Sequence, residues 1–412
     1  MKQDRMEIMA PVGSFESLSA ALNAGCDSVY FGVEQLNMRA RSSINFTLED
    51  LQEIASRCRG QAVKTYLAIN TILYDHDIAL MKRIIDQAKT AGVSAIIAAD
   101  HAVMAYCRSI GMPLHISTQV NITNIETVEF YASFAEVMVL SRELSLRQVE
   151  SIAKEIERRN ITGPAGHLVK LEVFAHGALC MAVSGKCYLS LHSHNASANR
   201  GACIQNCRKA YVVTSKEDGT ELEIDNEYIM SAKDLCTIGF IDKIRNAGVS
   251  ILKIEGRGRS ADYVDVTVRA YCEATNALAD GTYSSEKIAG WMQELAKVYN
   301  RGFWEGYYLG RKMGEWSEGP GSQATERKIY LAKGIKYFNK IKVGEFQMES
   351  HSLKKGDRIL ITDPVMGVVK STVEEIRVND LEVDTVDRGA RFSIKVEEKI
   401  RPSSKLYKIV EA

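Results

Sequence analysis

The sequence predicts an α/β protein: a TIM-like (β/α)8 parallel barrel with an inserted cysteine-rich loop, followed by a small all-β barrel. Over about the first 260 residues, short apolar runs alternate with helical patterns eight times. From residues 317–323 onward, short strands alternate with Gly, Asp and Asn turns. We therefore place the first domain at residues 1–320, its cysteine region at 172–210, and the second domain at 326–412. An open, doubly wound sheet is the alternative to the first barrel, because periodicity alone does not exclude it.

The elements of the first domain follow one another in regular order. The strand EIMAPVG precedes the helix SFESLSAALNAG, which ends at Gly25. The strand DSVYFGV precedes a helix capped by Thr47, with Glu49 and Asp50 in its first turn. The remaining strands are AVKTYLAIN, SAIIAAD, LHISTQV, AEVMVLS, KLEVFAHG and VSILKIEGR. The remaining helices are DIALMKRIIDQAKTAG, HAVMAYCRSIG, IETVEFYASF, SLRQVESIAKEIERR, FIDKIRNAG and ADYVDVTVRAYCEATNAL.

The second domain is predicted from six strands: KIYLAKGIKYF, KIKVGEFQM, DRILITDP, GVVKSTVEEIRV, LEVDTV and RFSIKVE. Its first segment carries cations interleaved with aromatic residues, a composition that suits single-stranded RNA by charge and stacking. These residues are Arg327, Lys328, Lys333, Lys336, Lys340 and Lys342, with Tyr330, Tyr337 and Phe338. Lysines that protect an exposed strand from aggregation are the alternative. The aromatic segment at residues 300–310 either stacks a base or packs in the core.

Composition excludes some classes of function. The chain has 412 residues, 46% of them hydrophobic, and no net formal charge, so no global attraction to nucleic acid or membrane is expected. We expect a cytoplasmic protein without membrane association, because the N-terminus lacks an apolar signal region and no apolar run is long enough to span a bilayer. Structural disulfides are rare in that compartment, which favours metal or redox chemistry for clustered cysteines.

Candidate site residues follow from the predicted barrel, whose active site should lie at the carboxyl ends of the strands. The substrate-binding candidates at these ends are Asn70, Asp100, Gln119, Asn121 and Arg142. The alternative is that they are ordinary loop residues, with Asp100 capping the helix that begins at His101.

Three further strand-end residues are candidates for catalysis: His176, Glu255 and Arg257. Histidine is the commonest acid–base residue, although His176 also suits a polar cap over the barrel. Arg257 lies on a glycine-containing loop and suits a carboxylate or phosphate ligand. A Glu255–Arg257 ion pair that closes the barrel is the alternative.

Four of the nine cysteines lie close together, at Cys180, Cys187, Cys203 and Cys207. Thiolates bind Zn²⁺ and iron–sulfur clusters, and only the last pair has the short spacing of a zinc knuckle. The spacing favours a cluster over zinc, with His192 and His194 as alternative zinc ligands, and unrelated free cysteines are the third alternative.

Cys236 competes with Cys207 for the fourth ligand position. It lies at the predicted start of a helix, which would lower its pKa, but apolar neighbours indicate a packed segment instead.

Several segments resemble the signature of the U32 family, proteins long called peptidases. They are EVFAHGALCMAVSGKCYLS, NRGACIQNCR, KIEGRGRSADYV and APVGSFESLSAALNAGCDSVYFG, and the resemblance covers nearly the whole chain. It implies a 4Fe–4S cluster on Cys180, Cys187, Cys203 and Cys207. The family includes proteins of oxygen-independent hydroxylation, which act on ubiquinone precursors, a ribosomal RNA cytidine or the tRNA wobble uridine.

Length and the second domain are most similar to the tRNA-hydroxylating members. This similarity implies formation of 5-hydroxyuridine at the wobble position, with prephenate as the source of the hydroxyl. A peptidase is the second hypothesis, although the sequence contains neither HExxH nor GxSxG. A non-catalytic subunit is the third, because relatives can work in pairs. We therefore expect tRNA as a partner, together with a second protein of the same family, and expect residues 326–412 to aid binding rather than chemistry.

Overall fold

A computed structural model describes residues 5–41, 45–212, 228, 230–310 and 315–412. The first domain consists, in chain order, of β1 (Glu7–Pro11), α1 (Phe15–Asn23), β2 (Ser28–Phe31), α2 (Asp50–Arg59), β3 (Lys64–Ile69), α3 (Ile78–Ala91), β4 (Ala95–Ala98), α4 (His101–Ile110), β5 (Leu114–Ile116), α5 (Ile125–Ala132), β6 (Val137–Val139), α6 (Leu146–Arg159), β7 (Lys170–Ala178), α7 (Leu189–His194), β8 (Asp234–Cys236), α8 (Ile241–Asn246), β9 (Val249–Ile254), α9 (Ala261–Ala279), α10 (Ser285–Lys297) and β10 (Phe303–Trp304). In these residues, no helix has both the length and the apolar character that crossing a bilayer requires.

The predicted parallel barrel is confirmed. Strands β1 to β7 pair in order, β7 pairs with β9, and β9 pairs with β1, so eight parallel strands form a closed ring. This closure excludes the open sheet. The strands are apolar along both faces, because one face packs on the helices and the other fills the barrel with residues such as Met9, Tyr30 and Ile97.

Three local predictions in this domain are wrong. Cys236 lies in strand β8, not at a helix start; β7 continues past the barrel rim, and β8 pairs antiparallel with it, satisfying its backbone groups. Thr47 does not cap α2: the helix begins at Asp50, whose carboxylate accepts the Thr47 N–H at 2.7 Å. The segment between Cys187 and Cys203, predicted as part of a loop, contains the short helix α7. In addition, helix α10 was not predicted from the sequence.

The second domain is all-β, as predicted. Its strands are β11 (Glu326–Phe338), β12 (Val343–Met348), β13 (Ser352–Lys354), β14 (Arg358–Asp363), β15 (Gly367–Thr372), β16 (Ile376–Val378), β17 (Leu381–Val383), β18 (Thr385–Asp387), β19 (Arg391–Lys395) and β20 (Lys405–Glu411). Eight of them form an antiparallel sheet in the order β15-β14-β20-β11-β12-β19-β16-β17, and β13 pairs with β18. The segment predicted as one strand, GVVKSTVEEIRV, forms two strands, β15 and β16.

The cationic segment at the start of the second domain is only partly neutralised by carboxylates. Its strand β11 lies inside the sheet between β12 and β20, so edge protection does not explain its lysines. Lys328 pairs with Asp262 and Lys333 with Glu349, and Lys342, just beyond the strand, pairs with Glu397. Arg327, Lys336 and Lys340 are exposed and have no ion-pair partner in the described residues. In the aromatic segment at residues 300–310, Trp304 and Tyr308 are buried, which agrees with core packing, one of the two roles predicted for this segment.

The two domains meet through the turn between β14 and β15, which rests on helices α1 and α2. Ser19 and Arg57 donate to the carbonyl oxygen of Pro364 at 2.8 and 2.7 Å. Asn23 donates to the carbonyl of Met366, and Gly367 lies directly against the backbone of α1. The second domain therefore contacts the outer helices of the barrel.

Candidate functional site

Four cysteines line one cavity of about 160 Å³ at the carboxyl ends of the barrel strands. They are Cys180, Cys187, Cys203 and Cys207. Cys236 lies elsewhere: it is buried, with its sulfur 3.6 Å from that of Met292, and burial raises its pKa to about 11. The structure thus brings Cys207, and not Cys236, to the other three thiols.

The backbone of the segment that carries these cysteines is held in place by a hydrogen bond and by close contacts with neighbouring loops. Gly177 (φ +101°), at the end of β7, lies so close to Glu255 that a Cβ would be 2.5 Å from its carbonyl oxygen. Further along, the Ser190 hydroxyl accepts the N–H of Ile204 at 2.9 Å. Gly201 also has a positive φ (+83°) and packs against the Asn37 carbonyl. These contacts place the thiols over the barrel mouth.

A cation, Arg208, lies beside the thiol of Cys207. Burial raises the pKa of Cys207, and the neighbouring Arg208 opposes that rise. Arg208 is itself fixed, because it donates to the carbonyls of Leu179 and Ala232 at 2.7 and 2.6 Å.

The thiols do not converge on one point. Among the described residues, no three Cys, His, Asp or Glu side chains form a group that could hold a single metal ion. In a tetrahedral zinc site, with Zn–S bonds of about 2.3 Å, the sulfurs lie roughly 3.8 Å apart. His192 and His194 do not line the cavity. Four thiols spread around a cavity therefore fit a compact cluster of several atoms better than one zinc ion.

The cavity beneath the thiols is cationic. Arg39 pairs with Glu255 at 2.6 Å, and Lys253 pairs with the fully buried Glu172 at 2.8 Å. Arg142 and Arg257 have no carboxylate within ion-pair distance in the described residues, and the Nε of each is buried without a hydrogen-bond partner. A buried charge without a partner is costly. The cavity therefore presents two positive charges that the surrounding side chains do not balance.

Glu255 organises these cations. Burial alone would raise its pKa, but Arg39, Arg142 and Arg257 lower the pKa to about 2. Its second oxygen accepts the Tyr30 hydroxyl at 3.2 Å. A carboxylate so strongly held in its ionised form is a poor proton acceptor near neutral pH. Glu255 pairs with Arg39, not with Arg257 as the ion-pair alternative proposed.

The structure brings most of the predicted site residues together. Those that line the cavity are Asn70, Gln119, Arg142, Glu255 and Arg257, with the four cysteines. Asp100 does not, because its carboxylate accepts the N–H groups of Ala102 and Leu73 at 2.8 and 2.9 Å. Asn121 donates to the carbonyls of Gln119 and Ser184. Both residues thus bond to neighbouring backbone.

His176 also lies away from the cavity. It is buried among the rings of Tyr263, Tyr271 and Phe303, at centroid distances of 5.5 to 6.1 Å. Burial lowers its pKa to about 3, and its Nδ1 has no hydrogen-bond partner in the described residues. Its surroundings are those of a core residue.

Four residues of the cavity region were not singled out as candidates from the sequence: Tyr30, Arg39, Glu172 and Lys253. A signal was present for Glu172 and Lys253, since each is a charged residue inside an otherwise apolar strand and buried charges are normally paired. Arg39 lies well beyond the end of β2, and its approach to Glu255 depends on the path of that loop.

Comparisons with known proteins are consistent with this architecture. The sequence model that defines Peptidase family U32 matches residues 13–318 of this chain. A protein of Porphyromonas gingivalis named Collagenase is 57% identical over 408 residues, 99% of each chain. The tRNA hydroxylation protein P of Helicobacter pylori is 32% identical over 319 residues, 75% of this chain and 72% of that one. The tRNA hydroxylation protein P1 of Bacillus subtilis is 27% identical over 413 residues, 98% of this chain and 94% of that one.

Proposed function

Since the chain belongs to Peptidase family U32, we propose that it is an RNA-hydroxylating enzyme whose reaction takes place in the cysteine-lined cavity. The product we propose is 5-hydroxyuridine at the wobble position of tRNA. The observation that carries the proposal is the presence of four thiols and two unbalanced guanidinium groups in one cavity. Relatives named for tRNA hydroxylation support the choice of RNA.

The proposed cofactor is a 4Fe–4S cluster held by Cys180, Cys187, Cys203 and Cys207. The donor set fits, because it consists of four thiols spread around a cavity with cations beside them. When bound, such a cluster supplies redox chemistry that ordinary side chains lack. The chain itself orients the ligands, and the buried Glu172–Lys253 and Arg39–Glu255 pairs keep the floor of the cavity rigid.

Prephenate is the hydroxyl source that we propose. It carries two carboxylates, and the cavity presents two guanidiniums, those of Arg142 and Arg257, without carboxylate partners. Arginine binds carboxylates in a planar, charge-assisted geometry. Arg142 is held over the ring of Phe174 at 4.1 Å, and Arg257 donates to the Asn37 amide oxygen at 3.1 Å. Binding of a dianion would balance both charges.

A peptidase is the second candidate, favoured by the name Collagenase of the relative that is 57% identical. A cysteine peptidase needs a thiol beside a base, commonly an imidazole. In the described residues, no thiol lies within hydrogen-bonding distance of a histidine, and His176 and His115 are buried. These observations favour RNA hydroxylation over peptide hydrolysis.

The deciding experiment is nucleoside mass spectrometry of tRNA from a strain that lacks this gene and any second pathway to 5-hydroxyuridine. We expect 5-hydroxyuridine derivatives to disappear and to return with the wild-type gene, but not with Cys203→Ser. Unchanged derivatives would contradict the proposal. Restoration by Cys203→Ser would indicate a non-catalytic subunit, and cleavage of gelatin by anaerobically purified protein would support the peptidase.

A further inference from the structure

A second cavity, of about 280 Å³, opens beside the cysteine-lined cavity; we call it the side cavity. The two cavities share Met38, Asn70, Gln119, Gly185 and Cys187 in their walls. A ligand in the side cavity would therefore lie directly against the proposed reaction site. Its volume is near the lower end of the range for small-molecule pockets, about 300–1,000 Å³. It suits one ring system rather than a folded peptide segment.

Two exposed tyrosines form the outer wall of the side cavity. Tyr188 is 73% exposed and Tyr74 is 54% exposed, both unusually high for large aromatic side chains. The Tyr74 ring is held by the guanidinium of Arg200 at 4.1 Å, and Asp77 fixes that guanidinium at 2.6 Å. Exposed rings at a cavity entrance are the usual platform on which single-stranded nucleic acids stack their bases.

The inner wall offers carboxamide groups. Asn70, Gln119 and Asn199 line it, and the Oε1 of Gln119 is buried with no hydrogen-bond partner in the described residues. Gly185 leaves the space for this amide, since a Cβ there would lie 2.4 Å from Oε1. A buried acceptor without a donor is costly. A carboxamide presents one acceptor and two donors, which complement the hydrogen-bonding edge of a pyrimidine.

The geometry points to the side cavity as the binding site for an unpaired pyrimidine base of RNA. Tyr188 and Tyr74 stack on the base, and the Gln119 amide accepts a hydrogen from its N–H edge. Lys186, exposed in the same wall and without an ion-pair partner in the described residues, contacts the backbone phosphate. This assignment rests on the proposed function and adds to it the place where the substrate base enters.

The test is binding of a fluorescent anticodon stem-loop RNA to the full chain, purified without oxygen and measured by anisotropy. We expect Tyr188→Ala and Tyr74→Ala to weaken binding by roughly 5- to 160-fold, the range set by base–aromatic stacking. Tyr188→Phe keeps the ring and should stay within about twofold. Phe130→Ala removes another exposed aromatic, 60% exposed on α5 and outside the cavity, and serves as the matched control.

Iron per chain is measured for every variant, because Tyr188 follows Cys187 directly. Tyr74 lines the side cavity and not the cysteine-lined cavity, so Tyr74→Ala tests the site when Tyr188→Ala loses iron. Gln119 lines both cavities, and Gln119→Leu tests the proposed hydrogen bond to the base. Wild-type affinity in both of these variants would overturn the base site while leaving RNA hydroxylation standing. If the wild-type chain binds no RNA and instead binds a gelatin peptide in a Tyr188-dependent way, both the base site and the proposed function are wrong.

Discussion

At the scale of single residues, we predict opposite effects on iron binding for the replacement of Cys207 and of Cys236. Cys207 lines the cavity with the three other thiols, whereas Cys236 is buried against Met292. We expect Cys207→Ser to lose most of the iron bound by anaerobically purified protein. Cys236→Ser is the matched control and should retain it. The reverse pattern, measured as iron per chain, would place the fourth ligand at Cys236.

His176 should make folding stability depend on pH. Its folded-state pKa is about 3, below the unfolded value near 6.5, so the unfolded chain binds a proton more readily between these values. Its contribution is complete above pH 6.5 and is lost as the pH falls toward 3, by about 1.4 kcal/mol per pH unit.

Urea unfolding at pH 7 and pH 5 measures this loss. From His176 alone we expect the free energy of unfolding to fall by about 2 kcal/mol between these conditions. His176→Phe, or His176→Leu if phenylalanine does not fit, should remove that part of the change. The exposed His167→Gln serves as the control. An equal pH response in wild type and in the His176 variants would contradict the assignment.

The sequence predicted the position of a residue where topology decides it. Arg142, Glu255 and Arg257 line the cavity because strand ends of a parallel barrel share one face. Their roles stay predictions. The sequence did not show that the side chains of Asp100 and His176 lie outside the cavity, because the direction of each side chain depends on contacts that the sequence does not specify. Asp100 turns back to cap α4, and His176 turns into an aromatic core.

At the scale of elements, the fit of the β14–β15 turn against α1 depends on Gly367. Its φ is +80°, and a Cβ would lie 2.8 Å from the backbone nitrogen of Ala20. We expect Gly367→Ala to lower the free energy of unfolding by about 2–4 kcal/mol, since it adds a clash with backbone to the cost of a left-handed conformation. Gly356→Ala, with a similar φ but open space, should cost only about 1–2 kcal/mol. Equal losses of unfolding free energy in the two variants, measured by urea unfolding, would show that the contact of Gly367 with α1 does not add to the cost of the substitution.

The elements that sequence reasoning missed are those defined by their partners. Strand β8 has three residues and exists because β7 extends beyond the barrel and offers it a partner. The break between β15 and β16 likewise reflects pairing, because β15 pairs with β14 and β16 with β17 and β19. Amphipathic helices and apolar strands of the barrel carry their own periodicity, and they were located to within a few residues.

At the scale of the whole molecule, the balance of charge limits how RNA can bind. The chain has 52 basic and 52 acidic residues, and Lys328 and Lys333 of strand β11 are paired with carboxylates. Exposed cations without ion-pair partners in the described residues lie on both domains: Arg41, Lys186 and Lys209 are on the segments around the cysteines, and Lys340 is one of those in the second domain. Because the side cavity lies among the first group, we expect RNA binding to depend more on phosphate contacts near the cavities than on the second domain.

The salt dependence of RNA affinity tests this distribution of charge. Each phosphate neutralised on a single strand contributes about −0.7 to the slope of log K against log salt concentration, so three contacts predict a slope near −2. Lys186→Ala should make the slope shallower by about 0.7. Lys340→Ala, an exposed cation of the second domain, should leave it unchanged. The slope counts only the cations that replace counterions along the bound strand. If Lys340→Ala makes the slope shallower and Lys186→Ala does not, the RNA strand therefore binds along the second domain and not near the cavities.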